Sequence, residues 1–482
     1  MPARTGQQYI DGLRAKPREV WIGTELVTDP TRFPGFQGGM RSVARLYDMQ
    51  HEPALQDELT YLTPSGERVG MSFLAPRSAL DLQRRREMMA RWAHFSGGMM
   101  GRTPDYLNSS LMAMAAAAEF FARGDPRFGQ NMVRYFEYVR DHDLVLTHAL
   151  INPQVNRAAG ASGQPEPFLA AGIVEEGPDG LVIRGARMLA TLGPLADELL
   201  VFPSTTSRGM AEDDRYAFAF AVPCTAPGLK FLCRNSFAGA SPADSPLASR
   251  FEEMDALIVF DDVLVPWERV FIHRNPALCG TVFSSTDAVV HMAHQVVIKN
   301  VVKAEFLIGV ASLLAEMIAI DQFPHVQEKI AEMIVYLETM KACLRAAEAD
   351  AELDEWGVFT PAWWPLNTAR NAFPAMYPRM VEILQLLGAG GLMAMPSAGL
   401  FDTDVRGDLE SYLQAARSSA GDRMRLFKLA WDIACSSFGS RQVLYERFFF
   451  GDPVRMASAV YHSYDRVSLM DRVREFIGRD EE

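Results

Sequence analysis

The sequence predicts an α+β fold in three successive stretches. Three observations predict it: apolar residues at helical spacing up to about residue 140, a strand-like pattern from about 141 to 275, and long helical periods beyond that. The implied organisation is an N-terminal α-helical domain over 1–140, a middle β domain over 141–275, and a C-terminal helical bundle and oligomerisation domain over 276–482. With 482 residues, 49% of them hydrophobic, the chain can fill a sizeable core in each.

In the first stretch, Ser78 to Trp92 and Leu111 to Phe121 are the clearest helical segments. A helix is expected to open at Thr103, a good N-cap, with Pro104 at its first position and Asp105 complementing the positive helix end. In the second stretch, Gly172-Ile173-Val174 and Leu181-Val182-Ile183 flank the turn Gly177-Pro178-Asp179-Gly180, which reads as a hairpin. Leu199 to Phe202, Tyr216 to Val222 and Ala256 to Phe260 repeat the strand signal. In the third, His291 to Ile320, Val326 to Ala351, Tyr377 to Leu387 and Gly421 to Phe448 are periodic helices, interrupted at Pro324 and at Gly388-Ala389-Gly390-Gly391. The glycine stretch follows a helix and not a strand, the wrong context for a dinucleotide fingerprint, so it reads as a helix stop or a close-approach point.

Composition excludes several classes. A formal net charge of −13 with no Lys/Arg cluster argues against nucleic acid or an anionic membrane as the main partner. Cys224, Cys233, Cys279, Cys343 and Cys435 are widely spaced and form no C-x-x-C, which indicates neither a disulfide framework nor a zinc knuckle and points to a reducing cytoplasm. The N-terminus lacks the apolar core of a signal peptide, and the run Phe306 to Ile320 is short and broken by Glu316, so it reads as a buried helix. His291 and His294 stand three apart on a helix with no third ligand nearby in sequence; they read as core or interface histidines, or cofactor neighbours, and no metal is expected.

Two segments carry chemistry. Met99-Met100-Gly101-Arg102-Thr103-Pro104-Asp105-Tyr106-Leu107-Asn108 places Arg102 just outside the expected helix and Tyr106 in its first turn. With unpaired backbone N–H groups beside them, that pair could hold an anionic or phenolic oxygen; the alternative is a surface cap with a snorkelling arginine. Thr147-His148-Ala149-Leu150-Ile151-Asn152-Pro153-Gln154-Val155-Asn156-Arg157 follows a histidine with an Asn-Pro turn, two amides and an arginine, a strip that could hydrogen-bond the edge of a planar heterocycle. Taken singly, His148 also fits a core or surface histidine.

These two segments, together with Val182 to Thr191, Phe202-Pro203-Ser204-Thr205, Phe260 to Phe271, His291 to Gln295 and Tyr445 to Pro453, resemble the flavin-dependent 4-hydroxyphenylacetate 3-monooxygenase oxygenase family over nearly the whole chain. That family is the large component of two-component phenol hydroxylases. The resemblance implies an acyl-CoA-dehydrogenase-like architecture and hydroxylation of 4-hydroxyphenylacetate ortho to its phenol, giving 3,4-dihydroxyphenylacetate. It implies FAD, used as FADH2, with O2 as co-substrate and a flavin C4a-hydroperoxide as the oxygen donor, because amino-acid side chains supply no electrophilic oxygen.

By the same resemblance Arg102, Tyr106 and His148 meet the phenolic oxygen, and Ser204 and Thr205 meet the substrate's carboxylate. Gln154, Val155, Asn156, Arg157, Thr191, Phe450, Gly451, Asp452 and Pro453 are carried over as flavin contacts. A separate NAD(P)H:flavin reductase supplying diffusible FADH2, a homotetramer and a cytoplasmic location are also implied. Another para-substituted phenol remains open as substrate. A flavin-dependent hydroxyacyl-CoA dehydratase is a further alternative, but its iron–sulfur cluster needs cysteines and none precedes Cys224. A non-catalytic helical scaffold would leave Arg102, Tyr106, His148 and Gln154 unexplained.

Overall fold

The computed structural model describes residues 3–153, 155–156, 158–203, 214–239 and 241–478. Helix α1 (Gly6–Ala15) opens on a capping box in which Thr5 and Gln8 satisfy each other's backbone. Strands β1 (Glu19–Ile22) and β2 (Glu25–Val27) follow, then helix α2 (Pro34–Met49). Helices α3 (Ala79–Ser96), α4 (Pro104–Ala116) and α5 (Pro126–His142) complete the first stretch. The expected helix Leu111 to Phe121 is therefore divided: α4 ends before Ala117, and a separate short helix covers Ala118–Ala122.

The strands β3 (Leu146–Ala149), β4 (Gly172–Gly177), β5 (Gly180–Thr191), β6 (Glu198–Val201), β7 (Ala219–Pro223), β8 (Leu229–Cys233), β9 (Asp255–Pro266) and β10 (Val270–Ile272) form two sheets. One sheet has the order β2-β1-β8-β9-β5-β4 and the other β10-β7-β6-β3. The hairpin expected at Gly177–Gly180 joins β4 to β5. The mainly helical reading of the first 140 residues misses β1 and β2, which join the larger sheet through the parallel pairing of β1 with β8. Four and three residues are too few for a period-2 pattern to stand out.

Along β9 the buried residues Ala256, Ile258 and Phe260 give way to Val263 and Val265. A bulge between Phe260 and Val263, with Asp262 at φ 52°, resets the alternation so that both halves bury their apolar residues.

The third stretch holds helices α6 (Ala288–Met317), α7 (Pro324–Ala349), α8 (Trp363–Met393), α9 (Ala420–Ala434), α10 (Ser437–Phe448), α11 (Pro453–Ser463) and α12 (Val467–Phe476). Helix α6 packs against α3, α4, α7 and α8, so it is the beam on which the first and third stretches meet. Two expectations are corrected here. The segment Gly421 to Phe448 is two helices, because Ser436 breaks the run and caps α10 by accepting from the Gly439 N–H at 3.0 Å. The glycine stretch after Leu387 is not a stop: the chain kinks at Ala389, φ 44°, and continues to Met393. Gly391 is a close-approach point, since a Cβ there would lie 2.8 Å from the Phe427 ring.

Candidate active site

The segment bearing Arg102 is shaped from both ends. Helix α3 terminates at Gly97 in the left-handed region, φ 59°, and α4 starts at Pro104, leaving a short connector pressed against α10. A side chain at Gly101 would overlap the Tyr445 phenol, so glycine is what lets Tyr445 reach the connector. The Tyr445 hydroxyl accepts from Arg102 Nη1 at 2.6 Å and donates to the Gly101 carbonyl at 3.2 Å. The Arg102 guanidinium carbon lies 4.4 Å from the Tyr106 ring centre and 4.3 Å from that of Phe449. It makes no ion pair among the described residues, so aromatic faces and one hydroxyl hold this cation and leave its charge uncompensated.

His148 enters from β3, whose parallel pairing with β6 fixes its position. Its ring centre is 6.0 Å from that of Tyr106. Burial, with the nearby positive charge of Arg102, holds the imidazole pKa well below its ordinary value, so the ring is neutral at pH 7. Nδ1 is buried with no hydrogen-bond partner among the described residues. Burial also raises the Tyr106 pKa, partly opposed by Arg102 and Arg370, so Tyr106 stays a phenol. A cation, a hydrogen-bonding phenol and a neutral imidazole thus converge, and together they can bind a phenolic oxygen and draw it toward phenolate.

The three residues expected at the phenolic oxygen are brought together. Two of the helix-mouth amides are already engaged: the Arg102 N–H donates to Glu253 at 2.6 Å and the Tyr106 N–H to the Thr103 carbonyl at 3.1 Å. Thr103 precedes α4 without a side-chain cap bond, and Asp105 lies beneath the site, accepting from Gln295 Nε2 at 2.9 Å. Burial pushes the Asp105 carboxyl up to about 6, against its hydrogen bonds with Thr103 and Gln295.

The expected flavin contacts are spread more widely. Thr191 is buried at the end of β5; its hydroxyl donates to Asp255 at 2.7 Å, which leaves only its lone pairs for a ligand. Val155 and Asn156 lie on an exposed loop that Gln164 ties down by hydrogen bonds to Asn156. Phe450 and Gly451 form the turn after α10, with Gly451 at φ 127°, and Asp452 caps α11, which begins at Pro453. Gln154, Arg157, Ser204 and Thr205 lie outside the described residues.

His291 and His294 are core histidines. The first contacts Arg85 and Thr360, the second Glu348 at 2.8 Å, and no metal-binding group of ligands occurs among the described residues. All five cysteines are free. No helix is long and apolar enough to cross a membrane.

Sequence reasoning missed Tyr445, Phe449, Glu253 and Arg370. One signal was present: Tyr445 and Phe449 stand four apart, the spacing that puts two side chains on one side of a helix. Glu253 also accepts from Arg441 at 3.1 Å, and Arg441 pairs with Asp255 at 2.7 Å, so one ionic network fixes the backbone of Arg102 and the hydroxyl of Thr191 together. A cavity of about 670 Å³ opens beside that network, walled by Leu189, Arg234, Asp255, Arg441 and Leu444, and includes none of Arg102, Tyr106 and His148.

The described residues fit a planar heterocycle next to the phenol site. His148 Nδ1 and Asn152 Oδ1, on the strip singled out for this purpose, are buried polar atoms with no protein partner among the described residues.

Comparison with known proteins gives the family and the fold. Residues 5–272 match the family "4-hydroxyphenylacetate 3-hydroxylase N terminal" and residues 279–478 the family "4-hydroxyphenylacetate 3-hydroxylase C terminal". The chain is 50% identical to the 4-hydroxyphenylacetate 3-monooxygenase oxygenase component of Thermus thermophilus, over 98% of this chain and 97% of that protein. A crystal structure of such an oxygenase component, complexed with FAD and 4-hydroxyphenylacetate, superposes with a TM-score of 0.95 at 50% identity and covers 98% of both chains. An archaeal 4-hydroxybutyryl-CoA dehydratase from N. maritimus, at 19% identity, shares the fold with a TM-score of 0.90, covering 99% of this chain and 96% of that one.

Proposed function

The chain belongs to the 4-hydroxyphenylacetate 3-hydroxylase family, and from that premise we propose that it is the FADH2-using oxygenase component that hydroxylates 4-hydroxyphenylacetate ortho to its phenol. The observation that carries this is the meeting of Arg102, Tyr106 and a neutral His148 in one buried site. The fold is acyl-CoA-dehydrogenase-like, α+β, with helices on both sides of the β module in sequence.

Arg102 presents an uncompensated positive charge to the phenolic oxygen, Tyr106 hydrogen-bonds it, and His148 accepts its proton, which raises electron density at the ortho carbon. Arg102 and Tyr106 are buried and His148 is half-buried, which limits the access of water to the reacting carbon. Reduced FAD, when bound, supplies the activated oxygen from O2. The flavin would be held by His148, Asn152 and the strip 154–157, by Thr191, and by the turn Phe450 to Pro453. Ser204 and Thr205 would take the substrate's carboxylate. The division at about 140 and 275 places the phenol site between residues of all three stretches.

A separate reductase delivers FADH2, the protein works in the cytoplasm, and it assembles as a homotetramer. The last point is supported by Val454, Tyr461, Val467, Val473 and Phe476 on α11 and α12, all exposed in the single chain. The test is direct: the pure chain with an added flavin reductase, NADH and 4-hydroxyphenylacetate should form 3,4-dihydroxyphenylacetate in step with O2 uptake. Reduced FAD consumption yielding only H2O2 would refute the assignment. A para-substituted phenol panel in the same assay fixes the substrate.

A further inference from the structure

Arg441 on α10 stands between two carboxylates, and all of its nitrogens are committed to them. Nε and Nη2 donate to the two oxygens of Asp255 at 3.0 and 2.7 Å, and Nη1 donates to Glu253 at 3.1 Å. Each carboxylate reaches further. Glu253 accepts from the Arg102 N–H at 2.6 Å, and Asp255 accepts from the Thr191 hydroxyl at 2.7 Å. One planar guanidinium therefore joins the backbone that carries Arg102 to the side chain of Thr191, through hydrogen bonds laid end to end.

The direction of these bonds is fixed by charge. Burial would raise the Asp255 carboxyl, but Arg441, with Arg234 and Thr191, holds it well below the usual carboxylate range. An ionised carboxylate only accepts, so Thr191 donates to it and turns its lone pairs outward. The backbone follows the same route. Thr191 at the end of β5 is the register partner of Asp255 at the start of β9, and the next N–H, of Leu192, is shared by the Glu253 and Met254 carbonyls at 3.1 and 2.9 Å. Leu192 and Met254 are fully buried in the left-handed region, at φ 65° and 59°, a conformation that bulky residues keep only where their surroundings impose it. Arg441 bridges the two residues that flank Met254 and so holds that turn. One helical turn on, Tyr445 lies with its ring centre 4.8 Å from the Arg441 guanidinium carbon and accepts from the Arg102 side chain, so α10 grips Arg102 at both ends.

Given the function assigned above, in which Thr191 meets the flavin and Arg102 the phenol, we propose that Arg441 is a positioning residue that sets these two residues relative to each other, so that flavin and phenol strengthen each other's binding. A ligand that takes the outward lone pair of Thr191 limits the motion of Asp255 and, through the guanidinium plane, that of Glu253 and the Arg102 backbone. The connector is then already ordered when the second ligand arrives, which lowers the entropy lost in the second binding step. Linkage makes the gain the same whichever ligand binds first.

The experiment measures, by calorimetry without oxygen, the dissociation constant of 4-hydroxyphenylacetate with and without saturating FADH2, for the wild type and Arg441→Lys. Lysine keeps the charge and loses the fork that spans two carboxylates. The phenol should bind the wild type ~10-fold more tightly when FADH2 is present, and this ratio should fall to about 1 in Arg441→Lys. A purely structural Arg441 would lower the melting temperature of Arg441→Lys and leave the ratio at its wild-type value, as would coupling by direct contact between the ligands; a retained ratio overturns the proposal. A wild-type ratio of about 1 with both ligands bound overturns it as well. Should Arg441→Lys not fold, Thr191→Val decides, since it removes the hydroxyl at the far end of the connector: the ratio should again be lost, and its persistence overturns the proposal. Catechol formation by the wild type tests the assigned function separately, so a wild type that forms catechol without the binding ratio refutes the coupling alone.

Discussion

Helix α10 carries buried charge on two faces, and the two are built in opposite ways. On one, Glu446 receives Lys299 at 2.6 Å and Lys303 at 2.7 Å, with Gln442 accepting a further bond from Lys303 at 2.8 Å. Burial alone would raise the Glu446 carboxyl, but the two lysines overcome it and hold it at about 2. On the other face, Tyr445 and Phe449 hold Arg102 by a hydroxyl and a ring, with no carboxylate on the guanidinium among the described residues. Arg370, over the rings of Phe450 at 4.5 Å and Trp363 at 4.9 Å and with no ion pair among the described residues, repeats the second pattern. The difference separates two uses of charge: a cation met by a carboxylate inside the protein serves the fold, whereas one without a carboxylate keeps its field for a ligand.

The largest expected effect breaks the neutral face. Glu446→Gln leaves two buried lysines uncompensated and should cost ~3–5 kcal/mol, the penalty of removing one partner from a buried ion cluster. Thermal unfolding checks this, and an unchanged melting temperature would show the cluster to be dispensable. Because the Glu446 pKa is depressed from 4.5 to about 2, its stabilisation is complete above about pH 4.5 and disappears as pH falls through 2. The wild type should lose stability in that acid window more steeply than Glu446→Gln.

The next effect is on chemistry and not on the fold. His148→Ala should slow catechol formation by ~10² while melting normally, the scale of a lost acid–base group. More H2O2 should be released for each FADH2 consumed. Catechol and H2O2 measured in one reaction decide the matter; normal coupling in a folded variant would remove His148 from proton transfer. Since burial depresses the His148 pKa, the imidazole should stay neutral as pH drops from 8 to 6.5, and the hydroxylation rate should show no histidine limb there.

Tyr445→Phe sharpens the comparison, since it keeps the ring and deletes the hydroxyl that orients Arg102. The expected loss in hydroxylation is ~10-fold, the value of one hydrogen bond to a charged group. A structural role alone would leave the ionisation of a bound phenol untouched. Bound 4-nitrophenol, titrated by its phenolate absorbance, should instead show a raised pKa in Tyr445→Phe.

The smallest effect concerns Asp105, which is buried beneath the site. Its pKa is raised from 3.8 to about 6, so its contribution to stability is full below about pH 3.8 and is lost as pH rises through 6. Asp105→Asn should remove that pH dependence and gain ~1 kcal/mol at pH 7. Denaturant titrations at pH 4, 5, 6 and 7 test it, and parallel curves for the two proteins would contradict the assignment.

What the sequence determined by itself is local. Pro104 starting a helix, the Gly177–Gly180 turn joining two strands, and Arg102 just before that helix with Tyr106 in its first turn are all consequences of backbone rules spanning a few residues. The same local order, motif by motif, also marked the family and made His148 a candidate site residue. Tertiary structure alone decided what those residues touch. Tyr445 meets Arg102 across 343 positions of sequence, and Glu253 fixes its backbone across 151. Arg370 meets Phe450 only because α8 places it there, across 80 positions of sequence. No period or cap encodes such pairings, because the free energy that selects them comes from packing distant elements around one core. Whether a buried charge is left open or neutralised depends on which side chains that packing brings within a few ångströms.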